Sequence, residues 1–550
     1  MNEVAPSRRD WLADVWRIGF ILALTLATRF WLVQHTEVLS RDSIMFIRFA
    51  LQLEQPPEDH LDPSHHITRL DVVRSTYQPP GYPLAILAIS QPIRAVMGTN
   101  SDSLALSAQL TSILASLLLI FPMYFLGKMI FDRQAAFIGT LLFQVLPVCV
   151  QVTSDGLSDS LFLLASATSL WLSAVAFRRT SPLWFLPAGI TIGMAYLVRP
   201  EGLILAVAAG LIMLVSRLRG QCTWGSSFKR LAVLTFGVLL VMSPYVAIIG
   251  KLTNKPTGDG FLRWLKGDEL KPSWIKISDQ RPTHEGADVP LAAWFNEFGQ
   301  GQRPGAAWAS KAMMTEFLKT STYVIPFFAA IGLMAFWPRL NRDPAFLMML
   351  GVGAGHTALL WFVAYGAGYV AERHLLLVTL VSCYLAAAAL PKIGEKIAAW
   401  KPAGRLGSPA FWSAALAFAF VAVAVPYGLK PLHANRVSNH AAGRWLAERL
   451  QPGDYVIDPF AWSEYYAGCI REGSYALPAV PRAYGILTPG ENHPRLHQMP
   501  IAKLVAEHGE VVYHWPEDKP RDQAKLLIYR WEGYNFNEYI LAWTERAAKK

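Results

Sequence analysis

Asp42 sits in the string Arg41-Asp42-Ser43-Ile44-Met45-Phe46, on what its neighbours predict to be the first turn of a helix just after an apolar run. A carboxylate so placed can take a proton from an acceptor hydroxyl or help hold a divalent cation. Its plainer use is as a negative charge at a helix N-terminus, favoured by the helix dipole. Asp155 and Asp159 flank the start of another apolar run, in Ser154-Asp155-Gly156-Leu157-Ser158-Asp159-Ser160. Asp159 falls just inside it, where an unpaired charge costs about 2.5–3.5 kcal/mol on insertion scales, so that its retention points to function. The alternative is a helix cap, a part that Ser158 can fill equally well. Arg199 and Glu201 share a tight turn in which they can pair with each other or meet a ligand. Arg373 and His374 open a further apolar run. A guanidinium there suits a phosphate, which it can hold through two parallel hydrogen bonds, or it anchors the span at the interface. The segment Glu58-Asp59-His60-Leu61-Asp62-Pro63-Ser64-His65-His66 mixes imidazole and carboxylate as zinc or another divalent metal ion prefers, with His60, Asp62 and His65 as candidate ligands. Its spacing matches no established motif, and a solvated loop is the commoner meaning of such a string. No dinucleotide fingerprint, P-loop, nucleophile elbow or HExxH zinc motif occurs.

The elements that must position these groups belong to a membrane. Hydrophobic residues make up 53% of the 550 and charged residues only 16%, against about 25% charged in an ordinary globular chain. Mean hydropathy is +0.27 despite long polar stretches, so other stretches are very apolar. A span needs ~20 mostly apolar residues, and that ruler places spans near 16–36, 103–126, 134–152, 157–177, 183–199, 201–217, 231–250, 317–337, 344–364, 373–390 and 410–428. The first is too long, and too poor in small residues at its end, for a cleavable signal peptide. The net charge of +10 is concentrated in short connections such as Lys128/Arg133, Arg178/Arg179 and Arg217/Arg219. That is the positive-inside pattern rather than a nucleic-acid surface. It sets the N-terminus in the cytoplasm and the outer loops 38–102 and 251–316 on the other side, together with everything after 428.

The expected architecture is an α-helical polytopic membrane protein of eleven spans, residues 1–428, with a small C-terminal α/β extracytoplasmic domain, 429–550. In the first outer loop, Ile44, Phe46, Ile47, Ala50 and Leu51 predict an amphipathic helix lying on the membrane. In the tail, 439–450 reads as an amphipathic helix, and Tyr455-Val456-Ile457, 510–514 and 526–530 read as strands. The four cysteines are scattered without metal spacing, which argues against structural disulfides.

With these strings in place, the chain resembles the C-type (polytopic membrane) glycosyltransferases, in particular the bacterial branch related to protein O-mannosyltransferases and to the aminoarabinose transferase that modifies lipid A. Asp42-x-x-x-Phe46-x-x-x-Ala50 is similar to that superfamily's first-loop helix, and Tyr77-Gln78-Pro79-Pro80-Gly81-Tyr82-Pro83-Leu84 to its PPxYPLL string. Leu157-Ser158-Asp159-Ser160-Leu161-Phe162 resembles its LSE-x-LF helix start, Arg199-Pro200-Glu201-Gly202 its RPEG turn, and Arg373-His374-Leu375-Leu376 its RYLL. The ordered set covers roughly residues 15–390. The resemblance implies transfer of a sugar from a polyprenyl-phosphate-linked donor to a lipid, glycan or protein acceptor on the extracytoplasmic face of a bacterial inner membrane, with no nucleic acid involved. It makes Asp42 the catalytic base or acceptor-site carboxylate and Asp159 a second acidic site residue. Arg373, with Arg199 and His374, would bind the donor phosphate, and Tyr77, Gln78, Tyr82 and Glu201 would line the substrate site. The rival reading is a transporter or flippase for a lipid or polar solute, whose ionisable groups are expected near the bilayer midplane of two repeated halves. Here they gather at one face and no repeat is visible.

Overall fold

Backbone N–H and C=O groups find no partner in lipid, so each apolar run folds as a helix that satisfies its own. A computed structural model describes residues 8–57, 66–255, 305–400, 408–471, 481–490, 499–533 and 535. Among the described residues, eight helices are long and apolar enough to cross a membrane: Asp10–Gln34, Ser101–Ile130, Asp159–Arg178, Pro200–Leu218, Trp224–Ile249, Pro344–Gly366, Glu372–Trp400 and Pro409–Gly428. Each coincides with an expected span, and the three other expected spans differ. The run 134–152 breaks into Arg133–Val145 and Pro147–Val152. Pro147 has no N–H to continue the ladder and pushes Leu146 out of helical geometry, to φ −55° and ψ 131°. The run 183–199 is a shorter apolar helix, Pro182–Val198, and 317–337 belongs to a helix pair, Ala306–Thr320 and Ile325–Asn341, bent by 97°. The chain is an integral, multi-pass, mostly helical membrane protein.

The helices that carry or brace the site are α1 (Arg8–Gln34), α2 (Arg41–Glu54), α3 (Gly81–Met97), α4 (Ser101–Ile130) and α5 (Asp159–Arg178). With them belong α6 (Phe185–Val198), α7 (Ala306–Thr320) and α8 (Leu376–Trp400). Helix α2 starts at Ser40, whose side chain accepts from the Ser43 N–H. It was expected on the membrane surface but is buried on nearly every side. Ile44 and Ile47 are fully enclosed, Phe46 and Phe49 nearly so, and only Met45 is well exposed. The polar residue that would have faced water, Arg48, instead pairs with Glu464 at 2.9 Å. Helix α4 packs closely on α5, and its enclosed residues include the small Ser103, Ser107, Ser112 and Ser116. Arg29 interrupts the apolar run of α1 without reaching solvent. Its guanidinium donates to the Gln144 carbonyl at 2.7 Å, the Gln144 side chain at 3.0 Å and Thr153 Oγ1 at 3.1 Å.

At one end of the bundle the basic connections are tied by ion pairs, Lys128 with Asp14 (2.5 Å) and Arg133 with Asp10 and Asp14 (2.7 Å each). The other end carries α2 and the C-terminal strands. There β1 (Tyr455–Ile457), β2 (Arg482–Leu487), β3 (Glu510–Trp515) and β4 (Leu526–Glu532) form one sheet of order β1-β2-β4-β3, with β1 and β2 parallel and the remaining pairs antiparallel. Helix α9 (Val437–Ala447) covers one face through Ala442 and Leu446. Ala502 and Val505 from Met499–His508 cover the other. The four cysteines are free.

Candidate active site

Four segments distant in sequence meet at the sheet-bearing end of the bundle. They are the first turn of α2, the 153–159 turn that opens α5, the Arg199–Gly202 turn, and the 368–374 turn that leads into α8. Gly81 lets α3 start against the end of α6, just before the Arg199–Gly202 turn: a Cβ there would lie 2.5 Å from the Leu197 carbonyl oxygen.

Asp42 and Arg373, separated by 331 residues, meet directly: Arg373 Nη2 donates to Asp42 Oδ2 at 2.5 Å. The Asp42 side chain keeps 34% of its surface exposed and Arg373 keeps 23%, so a substrate can reach both. Burial by itself raises the pKa of Asp42, but the charge and hydrogen bond of Arg373, followed by the charges of Arg199 and Arg41, outweigh it and hold the carboxyl below its usual range. Asp42 is therefore a carboxylate at neutral pH.

Asp159 takes a different position. Its Oδ2 accepts from Arg199 Nη2 at 2.6 Å, and Arg199 Nε donates to Ser158 Oγ at 3.1 Å. The Asp159 side chain is 3% exposed, and its described side-chain contact is with the arginine it holds. Glu201, within reach of Arg199 in sequence, pairs with Lys255 Nζ at 3.2 Å instead. His374 accepts the Ala371 N–H on Nδ1 at 3.3 Å, and its carbonyl accepts from His356 Nε2 at 3.1 Å. It thereby braces the turn that presents Arg373.

Tyr77 is exposed, its hydroxyl 3.1 Å from Met45 Sδ, and Gln78 is half-buried beside it. Tyr82 is fully buried, its hydroxyl bonded to Ser112 Oγ (2.7 Å) and donating to the Ala108 carbonyl (3.2 Å), its ring edge-on to Phe46. It braces α2 from below. His60, Asp62 and His65 lie outside the described residues, and among the described residues no group of three or more histidine, cysteine or acidic side chains could hold a metal ion.

A groove of about 910 Å³ opens beside Arg373. It runs between α7 and the short helix Pro147–Val152, with Trp308, Val148 and Val152 supplying apolar walls and Lys311, Lys319, Glu316, Glu372 and Tyr369 supplying polar ones, Lys319 being paired with Glu316 at 2.8 Å. Such a mixture suits an amphiphile with an anionic group. Sequence reasoning missed Lys255 and Tyr369, both in polar connections where no periodicity marks them.

The Asp159–Arg199 pair is buried enough to be tested through stability. Removing one partner of a buried ion pair typically costs about 3–5 kcal/mol because the other charge is left uncompensated. Arg199→Gln should lower the unfolding midpoint in detergent clearly, and Asp159→Asn/Arg199→Gln should recover most of that loss. A double variant as unstable as the two single changes combined would show that the two side chains act separately.

Residues 82–248 match the family of dolichyl-phosphate-mannose-protein mannosyltransferases. The whole chain superimposes on ArnT from Cupriavidus metallidurans bound to undecaprenyl phosphate with a TM-score of 0.56, at 12% identity over 94% of this chain and 98% of that one. It is similarly related to the oligosaccharyltransferase AglB from Archaeoglobus fulgidus in complex with an inhibitory peptide and a dolichol-phosphate (TM-score 0.54, 13% identity, 93% of this chain and 74% of that one). The fold is that of the C-type glycosyltransferases. Against the apo form of the Archaeoglobus fulgidus oligosaccharyltransferase the TM-score is 0.51 at 14% identity, over 84% of this chain, which spans only 64% of that larger enzyme. No curated protein sequence matches significantly.

Proposed function

We propose that the protein is a glycosyltransferase that moves a sugar from a polyprenyl-phosphate-linked donor to an acceptor on the extracytoplasmic side of the membrane. The observation that carries this reading is the contact between Asp42 and Arg373, the latter lining the groove. A carboxylate and a guanidinium side by side are what displacement at an anomeric carbon from phosphate asks for. The carboxylate takes the acceptor's proton as the acceptor oxygen bonds to the anomeric carbon. The bond from that carbon to the phosphate oxygen breaks, and the guanidinium receives the charge that builds on the departing phosphate. Without donor the two groups neutralise each other. A donor phosphate draws hydrogen bonds from Arg373 and leaves the Asp42 carboxylate free to face the acceptor.

The groove is assigned to the polyprenyl chain nearest the phosphate, with Arg373 at the anionic group and Trp308 against hydrocarbon. Arg199, held by Asp159, adds positive potential at the same point, and Glu201 with Lys255 borders the acceptor side. The basic end of the bundle is assigned to the cytoplasm by the positive-inside rule. That puts the N-terminus inside, and the site and residues 429–550 outside, as fits a bacterial inner-membrane enzyme whose acceptor is a lipid, glycan or protein.

The test is transfer of radiolabelled sugar from a panel of polyprenyl-phosphate sugars by the purified protein in detergent, with a membrane extract as acceptor source. Label appearing in acceptor with release of polyprenyl phosphate is the expected result. Label retained on every donor, in protein that is folded and binds polyprenyl phosphate, would favour a lipid carrier over a transferase.

A further inference from the structure

We propose that the C-terminal segment 432–471 is a working part of the active site, and that His433, acting through Asp155, is a positioning residue that sets the orientation of Asp42. This rests on the reading of Asp42 as the base. Asp155 is the residue of the 153–159 turn that the proposed reaction leaves without a role, and it is 5% exposed. Its Oδ1 accepts the N–H of Ser40, the N-cap of α2, at 3.0 Å, and its carbonyl accepts from Ser43 Oγ at 2.5 Å. Ser40 and Ser43 bracket Asp42, so one residue grips the helical turn that carries the base on both sides. Gly156, at φ +68°, lets the turn reverse there, and a Cβ on it would stand 3.0 Å from Ala108 and 3.4 Å from Ser43 Oγ.

The second carboxylate oxygen of Asp155 is occupied from the tail. His433 Nε2 lies 2.9 Å from Asp155 Oδ2, on a residue held at φ +52° immediately after the Leu432 carbonyl accepts from the Glu37 N–H. The same strand of contacts continues through the segment. Trp462 Nε1 donates to the Leu39 carbonyl at 2.7 Å, and the Leu39 N–H donates to the Tyr466 hydroxyl at 3.2 Å. Tyr465 donates to the Ser101 carbonyl at 2.8 Å, and Glu464 pairs with Arg48, two residues beyond Phe46. The polypeptide entering α2 thus has the backbone groups of Glu37 and Leu39 satisfied by the tail, while the Ser40 N–H is held by Asp155. A buried backbone N–H or C=O without a partner is costly, so the approach to α2 can hold this course only while the tail is docked. Residues 429–550 are then coupled to the site and are more than an appended unit.

A displacement of the base of about 1 Å is enough to lower a rate ~100-fold, which gives the scale of the expected effect. His433→Ala should reduce kcat by one to two orders of magnitude with little change in the KM for an undecaprenyl-phosphate sugar. His433→Gln, whose side-chain amide can still donate to Asp155, should recover most of that loss, whereas a merely structural role would move stability and leave the split between kcat and KM unaltered. In parallel, hydrogen–deuterium exchange of intact protein in detergent should show the amides of residues 43–48 exchanging at least tenfold faster in His433→Ala, with α4 and α5 unchanged. Should His433→Ala fail to fold, Trp462→Phe, which keeps an aromatic ring and removes the bond to Leu39, carries the same measurement. Unchanged exchange in 43–48 would overturn the proposal whatever the activity. Faster exchange in a protein whose wild type transfers no sugar would leave the positioning role standing and remove the transferase reading instead.

Discussion

Replacing Asp42 with Asn should lower kcat/KM for sugar transfer by about 10²–10⁴, the range a positioned general base contributes, while the protein folds and inserts as before. The substitution keeps the size of the side chain and leaves an amide oxygen to accept from Arg373, so neither α2 nor the 368–374 turn loses its packing. What disappears is the ability to accept a proton. Donor binding should be unchanged or tighter, because Arg373 no longer faces a competing carboxylate. Turnover near the wild-type rate in Asp42→Asn would remove Asp42 from the reaction and leave Glu201, paired with Lys255 at 3.2 Å, as the carboxylate to examine next.

Arg373→Gln should have the second largest effect, a loss of about 10²–10³ in rate from the missing stabilisation of the leaving phosphate, together with a raised donor KM. It also carries a pH signature that a simple loss of binding does not. In the wild type, burial raises the pKa of Asp42 and the neighbouring arginines, Arg373 foremost, bring it below the usual carboxylate range. Activity that needs the carboxylate is then fully present at neutral pH and falls only as the pH drops through that depressed value. Without Arg373, burial is less opposed and the pKa of Asp42 rises, so the acid-side fall of kcat/KM must begin at a higher pH. An acid limb that stays in place in Arg373→Gln would mean that the titrating base is a different group.

The two expectations differ in how far they could be read from the chain. Asp42, Asp159, Arg199 and Arg373 stand out individually because each interrupts or borders an apolar run, where an ionisable group is costly and its presence needs a reason. Their pairing could not be read. Arg199 and Glu201 are two residues apart and look like partners, yet the turn directs Arg199 to Asp159 and Glu201 to Lys255. Tyr82 belongs to a string that resembles substrate-facing sequence, but its hydroxyl is bonded to Ser112 and Ala108 in the core. Strand β2 escaped notice for a related reason. It is the strand between β1 and β4, enclosed at four successive positions from Ala483 to Ile486, so it lacks the alternation that marks a half-buried strand.

Sequence alone determined that the chain is a multi-pass helical membrane protein and that its candidate site residues stand at the ends of apolar runs. A run of ~20 apolar residues has one low-energy fate in a bilayer, and the charges that punctuate such runs are confined to their ends. Both constraints are local and survive without knowledge of any contact. Tertiary structure decided which charge neutralises which, that α2 is buried beneath the tail rather than lying on the membrane, and that Asp42 meets Arg373, 331 residues away in sequence. Those outcomes depend on the directions in which short turns aim side chains hundreds of residues apart, and that geometry is set by the packing of the whole bundle.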